Sequence, residues 1–125
     1  MLKRGFKALL AEASAVVESV SVPDLPYLQE DAEVVLVDVR ETVEIEREGK
    51  IPGAVHAPRG LLEFQADPES PVYNPELKPE RRLVLYCGTG GRSVLAAKTL
   101  LDMGYSDVAS LAGGYAAWRM AQKGS

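Results

Sequence analysis

Two unbroken apolar runs divide the chain, Val34-Val35-Leu36-Val37 and Leu83-Val84-Leu85-Tyr86. Each is too short for a helix, and continuous apolar sequence is the pattern of a strand covered on both faces. Val20-Ser21-Val22, Val55-His56-Ala57 and residues 108–111 predict three further short strands. Elsewhere apolar positions recur at helical spacing. Phe6, Leu9, Leu10, Ala13, Val16 and Val17 mark one face of a helix over about 2–17. Val94, Leu95, Ala97, Leu100 and Leu101 mark another over 93–103, which Gly104 ends. Briefer helices are expected at 27–30, at 41–48 before Gly49, at 60–64 and at 115–122. Residues 66–79 carry Pro68, Pro71, Pro75 and Pro79 and read as an ordered loop or a lid.

Strands alternating with helices predict an α/β fold, a parallel sheet of about five strands with helices on both faces. The expected organisation is an N-terminal amphipathic helix within residues 1–19, packed on a single domain over 20–125. A membrane-surface or dimer-contact role for that helix is a second reading. Lys3, Arg4 and the Ala13-Ser14-Ala15 triplet imitate a signal peptide, but Lys7 and Glu12 cut its apolar stretch short.

Composition narrows the function. With 125 residues, 46% apolar and 26% charged, the chain suits one ordinary globular domain. A net charge of −4 argues against nucleic acid or an anionic membrane as partner. The single cysteine permits no internal disulfide, so a reducing, cytoplasmic setting is expected. No apolar run approaches the ~20 residues of a membrane span.

That cysteine carries the chemistry. Cys87 follows the 83–86 strand, and Gly88-Thr89-Gly90-Gly91-Arg92-Ser93 leads into the 93–103 helix. Strand, glycine-rich turn and helix aim backbone N–H groups and the positive end of a helix dipole at one spot. A thiol there should ionise more readily than a free one, with its pKa of ~8.5. A lone cysteine after a buried strand is commonly a small core residue. Three glycines in four residues shift the balance, because glycine is costly unless the backbone needs unusual dihedrals or close approach. Arg92, in the first helical turn, is expected to bind an anion with its paired donors. Arg59, after Pro58, is either a second cation for a dianionic donor or a solvated surface arginine. Asp38 and Arg40 flank a strand end and read as a supporting ion pair or loop-bonding group. His56 and Trp118 read as core residues, and Glu44, Glu46 and Glu48 as a solvated face. One histidine and one cysteine make no closed metal site, so neither metal nor other cofactor is expected.

Four segments together resemble the rhodanese family. They are residues 36–40 with Glu44, residues 49–54, residues 87–93 and residues 113–118. The resemblance spans about residues 34–118. It implies a rhodanese-like domain and a sulfurtransferase, in which Cys87 takes sulfur from a donor as a persulfide and passes it to a nucleophile. Thiosulfate and cyanide are the family's assay pair. A small sulfur donor, a thiol or cyanide acceptor and a sulfur-carrier protein are the expected partners, for a monomer or homodimer. Lys50 stands where the family usually has histidine. A rhodanese-like binding module without catalysis is one alternative. A cysteine phosphatase or arsenate reductase is another; protein tyrosine phosphatases place five residues between cysteine and arginine, against four here, 88–91.

Overall fold

A computed structural model describes residues 1–124; Ser125, the last residue of the expected domain, lies outside it. Its strands are β1 (Glu18–Val20), β2 (Val34–Asp38), β3 (Val55–His56), β4 (Arg82–Tyr86) and β5 (Val108–Leu111). They form one sheet in the order β1-β5-β4-β2-β3, with every neighbouring pair parallel. The α-helices are α1 (Phe6–Val16), α2 (Leu25–Gln29), α3 (Thr42–Glu48), α4 (Leu62–Ala66), α5 (Gly91–Met103) and α6 (Gly114–Lys123).

The unbroken apolar runs have a direct cause. Side chains alternate across a strand, and here both faces are covered. Val35, Val37, Leu83, Leu85 and Val108 pack with Leu62 of α4 and Ala96, Ala97 and Leu100 of α5. Leu36, Val84, Tyr86, Ala109 and Leu111 pack on the opposite face with Leu25, Ile51 and Tyr115. α1 lies over α5. β4 sits in the middle of the sheet, and Leu83 to Tyr86 are wholly buried.

The strand order places the site. From β2 the chain moves outward to β3, then returns to the other side of β2 to form β4 and β5. Ligands in such sheets bind where this reversal opens a crevice at the strands' carboxyl ends. Cys87 and residues 39–40 leave β4 and β2 at that point, joined by a hydrogen bond from Val39 N–H to the Tyr86 carbonyl at 3.0 Å.

Several boundaries differ from expectation. The first strand is Glu18–Val20 rather than 20–22, because Pro23 draws Val22 into a 3₁₀ turn over Val22–Asp24. The division expected between residues 19 and 20 therefore falls inside a strand of the main sheet. α1 begins at Phe6 and buries Ala13, while Phe6, Leu9 and Val16 remain exposed. α5 starts at Gly91, two residues early, because Gly90 takes a left-handed conformation (φ 114°) that turns the chain straight into the helix. Residues 66–79 do not cover the cysteine. The Tyr105 hydroxyl lies 2.7 and 2.6 Å from the carbonyls of Ala66 and Leu77, either of which can accept its proton, and Leu77 is buried. That anchor lies where β4 begins, at the opposite end of the sheet from Cys87. Among the described residues no helix is long and apolar enough to cross a membrane.

Candidate active site

Cys87 stands one residue past β4, 1% exposed, at the floor of a bowl formed by residues 88–93. The Gly90 and Ser93 N–H groups donate to Sγ at 3.1 and 3.4 Å, and the Ser93 hydroxyl lies 3.6 Å from it. Burial pushes the Cys87 thiol up. Hydrogen bonds from the Ser93 hydroxyl and from the N–H groups of Ser93, Gly90 and Thr89 outweigh that, and the net pKa is lowered. The N-terminus of α5, aimed at the same sulfur, adds its dipole in the same sense.

Ser93 is itself held. Its hydroxyl lies 2.8 Å from the Ser110 hydroxyl and 3.1 Å from the Gly90 carbonyl, and both serines are buried. A single hydroxyl proton cannot serve Gly90 and the sulfur together. When Cys87 is ionised, a chain running from Ser110 through Ser93 to Sγ places each proton on an acceptor. Ser110 was not visible as a site residue. Its signal is a hydroxyl on the α5-facing side of β5, where Val108 is apolar.

The Gly113-Gly114 turn brings α6 against the loop that forms the bowl. Both residues have positive φ, 75° and 59°. They let the first turn of α6 close onto the loop, with Tyr115 N–H donating to the Cys87 carbonyl at 2.8 Å and Ala116 N–H to the Gly88 carbonyl at 3.0 Å. A Cβ on Gly114 would lie 2.5 Å from the Cys87 carbonyl oxygen.

Arg92 stands at the rim, so close that a Cβ on Gly88 would lie 3.3 Å from its Nη2. Its guanidinium forms two parallel bonds to Glu44 at 2.8 Å each. Glu44 also accepts the Glu41 N–H at 2.9 Å, closing the start of α3. The pairing with Arg92 lowers the Glu44 pKa to about 2 and raises that of Arg92. Glu44 is therefore no member of a solvated face. It fixes Arg92 from 48 residues away, a contact that only folding creates.

Asp38 and Arg40 form a wholly buried pair on the other side of the sheet from Sγ. Arg40 Nη2 meets Asp38 Oδ2 at 2.8 Å and donates to the Gly49 carbonyl at 2.7 Å. Its guanidinium lies 4.3 Å from the Tyr115 ring centre and 5.6 Å from that of Tyr86. Nη1 reaches Glu48 at 3.3 Å, while Glu48 itself stays exposed, as the expected solvated face requires. The Ile51 N–H donates to the Tyr86 hydroxyl at 3.1 Å, and the Tyr115 hydroxyl donates to the Glu48 carbonyl at 2.6 Å. This cluster ties the turn after α3 and the start of α6 to β4, which keeps both walls of the bowl in place.

Arg59 does not join the bowl. It pairs with Glu63 at 2.9 Å and donates to Thr99 Oγ1 at 3.1 Å. Thr99 lies six residues beyond Ser93, about 9 Å along α5. His56 Nε2–H donates to the Arg40 carbonyl at 2.7 Å, Trp118 packs on Tyr115, and Lys50 Nζ donates to the Ala54 carbonyl at 2.9 Å. All three serve packing or turns. Among the described residues no group of three or more His, Cys, Asp or Glu is placed to hold a metal ion.

Comparison with known proteins identifies the family of the fold. Residues 21–121 match the family model for the rhodanese-like domain. A sulfurtransferase from Allochromatium vinosum is 36% identical over 91 residues, 73% of this chain and 77% of that protein. The mouse thiosulfate sulfurtransferase/rhodanese-like domain-containing protein 3 is 34% identical over 107 residues, 81% of this chain and 68% of that one. Among solved structures, a Rhodopseudomonas palustris protein of unknown function, named a possible tyrosine phosphatase, superposes with TM-score 0.92. It is 45% identical, and the match covers 98% of this chain and 94% of that one. The human single-domain sulfurtransferase superposes with TM-score 0.74 at 30% identity, over 83% of this chain and 96% of that one.

Proposed function

This chain belongs to the rhodanese-like domain family, and from that premise we propose that it moves sulfane sulfur through a persulfide on Cys87. The Cys87 thiolate attacks the outer sulfur of a donor such as thiosulfate. A new S–S bond forms, the donor's own S–S bond breaks, and sulfite leaves with that electron pair. A thiolate or cyanide then attacks the outer sulfur of the persulfide and releases Cys87 as thiolate. No oxidant, metal or cofactor enters either step. The setting is a reducing one such as the cytoplasm, and the second reactant is a small nucleophile or a sulfur-carrier protein.

The observation that carries the reading is the convergence of loop N–H groups and a buried hydroxyl on one sulfur. A persulfide's outer sulfur is anionic and extends about 2 Å beyond Sγ, towards the rim where Arg92 stands. Donors already in place stabilise that charge without reorganising. Arg92 is held by Glu44, so its charge is positioned before any substrate arrives.

Mass spectrometry after exposure to thiosulfate tests the reading. The protein should gain one sulfur atom and lose it to cyanide, and Cys87→Ser should do neither. Full turnover by the serine variant would overturn the assignment. The name of the Rhodopseudomonas palustris relative motivates a second reading, a phosphatase. Four residues between Cys87 and Arg92 make a bowl that suits one sulfur and crowds a tetrahedral phosphate. Release of p-nitrophenol from p-nitrophenyl phosphate, lost in Cys87→Ser, would favour the phosphatase.

A further inference from the structure

We propose that the sulfur acceptor is a thiol carrying one or more carboxylates, gripped by Arg119 and Lys123 in the cleft beside the cysteine loop. This rests on the sulfurtransferase reading and specifies its second substrate. The cleft has a volume of about 570 Å³ and is lined by Gly88 and Thr89 of the loop, Glu44 and Glu48 of α3, and one face of α6. Thiosulfate, with five non-hydrogen atoms, displaces no more than a few waters at about 30 Å³ each. The cleft instead falls within the range of about 300–1,000 Å³ that holds larger organic molecules.

Charge indicates what such a molecule carries. The carboxylates of the cleft are already partnered, Glu44 by Arg92 at 2.8 Å and Glu48, at 3.3 Å, by Arg40, which it shares with Asp38. The cations are not. Among the described residues, Arg119 and Lys123 have neither a hydrogen-bond nor an ion-pair partner, and both are exposed in the same cleft. They are four residues apart on α6, so they share a face of the helix. With Asp38, Glu44 and Glu48 set against Arg40, Arg92, Arg119 and Lys123, one positive charge is left over in and around the cleft, beside Gly88 and Thr89 of the cysteine loop.

Geometry sets the length. The N–H groups of Tyr115 and Ala116 meet the carbonyls of Cys87 and Gly88, so the first turn of α6 lies against the loop. Arg119 and Lys123 follow Ala116 by about 5 and about 10 Å along the helix axis. A thiol at the bowl thus places a carboxylate a few bonds away against Arg119, and a more distant one against Lys123. Tyr115, Ala116 and Met120 line the same cleft and offer apolar surface to the carbon skeleton between. In the transfer, the acceptor thiolate forms a bond to the outer persulfide sulfur. The bond from that sulfur to Cys87 Sγ breaks, its electron pair returns to Sγ, and the acceptor leaves as a persulfide.

The experiment measures sulfur transfer from persulfide-loaded protein to four thiols: cysteamine, 2-mercaptoethanol, 3-mercaptopropionate and mercaptosuccinate. In the variant with Arg119→Ala and Lys123→Ala, the ratio of the mercaptosuccinate rate to the 2-mercaptoethanol rate should fall about tenfold. The 3-mercaptopropionate ratio should fall less, and added salt should shrink the wild-type preference. A ratio that does not change, whether both rates fall together or neither does, overturns the proposal. A binding measurement separates this from the chemistry. In the Cys87→Ser protein, succinate should shift the amide resonances of Gly88, Thr89, Arg119 and Lys123, and should shift them far less once both cations are removed. No response to succinate overturns the cleft assignment. Absence of any persulfide in the wild-type protein overturns the sulfurtransferase reading instead.

Discussion

Gly114→Ala tests whether α6 positions the cysteine loop. The added Cβ would meet the Cys87 carbonyl oxygen at 2.5 Å and two atoms of Gly88 at 2.9 Å. Ordinary carbon contacts begin near 3.5 Å, so backbone must separate by roughly 1 Å. Both sides are backbone, with no flexible side chain to swing away. At φ 59°, an L-residue also costs roughly 1–2 kcal/mol that glycine does not. The separation strains two hydrogen bonds, Tyr115 N–H to the Cys87 carbonyl and Ala116 N–H to the Gly88 carbonyl, each worth roughly 0.5–1.5 kcal/mol. Together these amount to about 2–5 kcal/mol. For a domain of this size, the lower bound corresponds to a fall in Tm of at least about 6 °C. Gly60→Ala is the control, because its Cβ would meet nothing within 4 Å; its effect should stay within about 0.5 kcal/mol. Thermal melts give the stability, and the iodoacetamide alkylation rate of Cys87 reports the bowl. Gly114→Ala should melt lower and alkylate with an altered pH profile. A Tm within about 2 °C of wild type with an unaltered profile would show that the loop does not depend on this contact.

Three further outcomes follow from the site. The pH profile of Cys87 alkylation should have its midpoint below that of a free thiol, and Ser93→Ala should move it upward, with Ser110→Ala moving it less in the same direction; a Ser93→Ala profile that overlays wild type refutes the hydrogen-bond account. Glu44 has a lowered folded pKa, so its stabilisation is complete above the ordinary value of 4.5 and is lost as pH falls towards about 2. In urea melts, the gap between wild type and Glu44→Gln should hold from neutral pH down to about 5 and close below that. Asp38→Ala strands the buried Arg40 charge and should cost about 3–5 kcal/mol by urea denaturation; a loss below about 1 kcal/mol would mean that Glu48 and the Gly49 carbonyl satisfy Arg40 without it.

The architecture, and the cysteine at the head of a glycine-rich loop, could be read in advance, for local reasons. The apolar runs at 34–37 and 83–86, with their β-branched and aromatic residues, carry the signal of a strand buried on both faces within themselves, and residues 108–111 kept their expected bounds. Glycines clustered after a strand announce backbone that must turn sharply, and Cys87 at that turn needed no partner to be noticed. Strand and helix edges beside glycine and proline moved by one or two residues, as at β1 and α5, because those residues act on dihedrals that periodicity does not register.

The partners of the side chains were another matter. Ser110 reaches Ser93 only because β5 lies beside β4, and Glu44 reaches Arg92 only because α3 stands over the carboxyl ends of the sheet. Arg59 follows β3, at the sheet's edge, and its side chain finds Glu63 and Thr99 instead of sulfur. Arg119 and Lys123 look like any basic end of a helix until α6 is docked against the loop. Periodicity and backbone demand belong to a stretch of chain and survive in the one-dimensional pattern. Charge pairing depends on which distant groups the strand order brings within a few ångströms, and that belongs to the packed sheet alone.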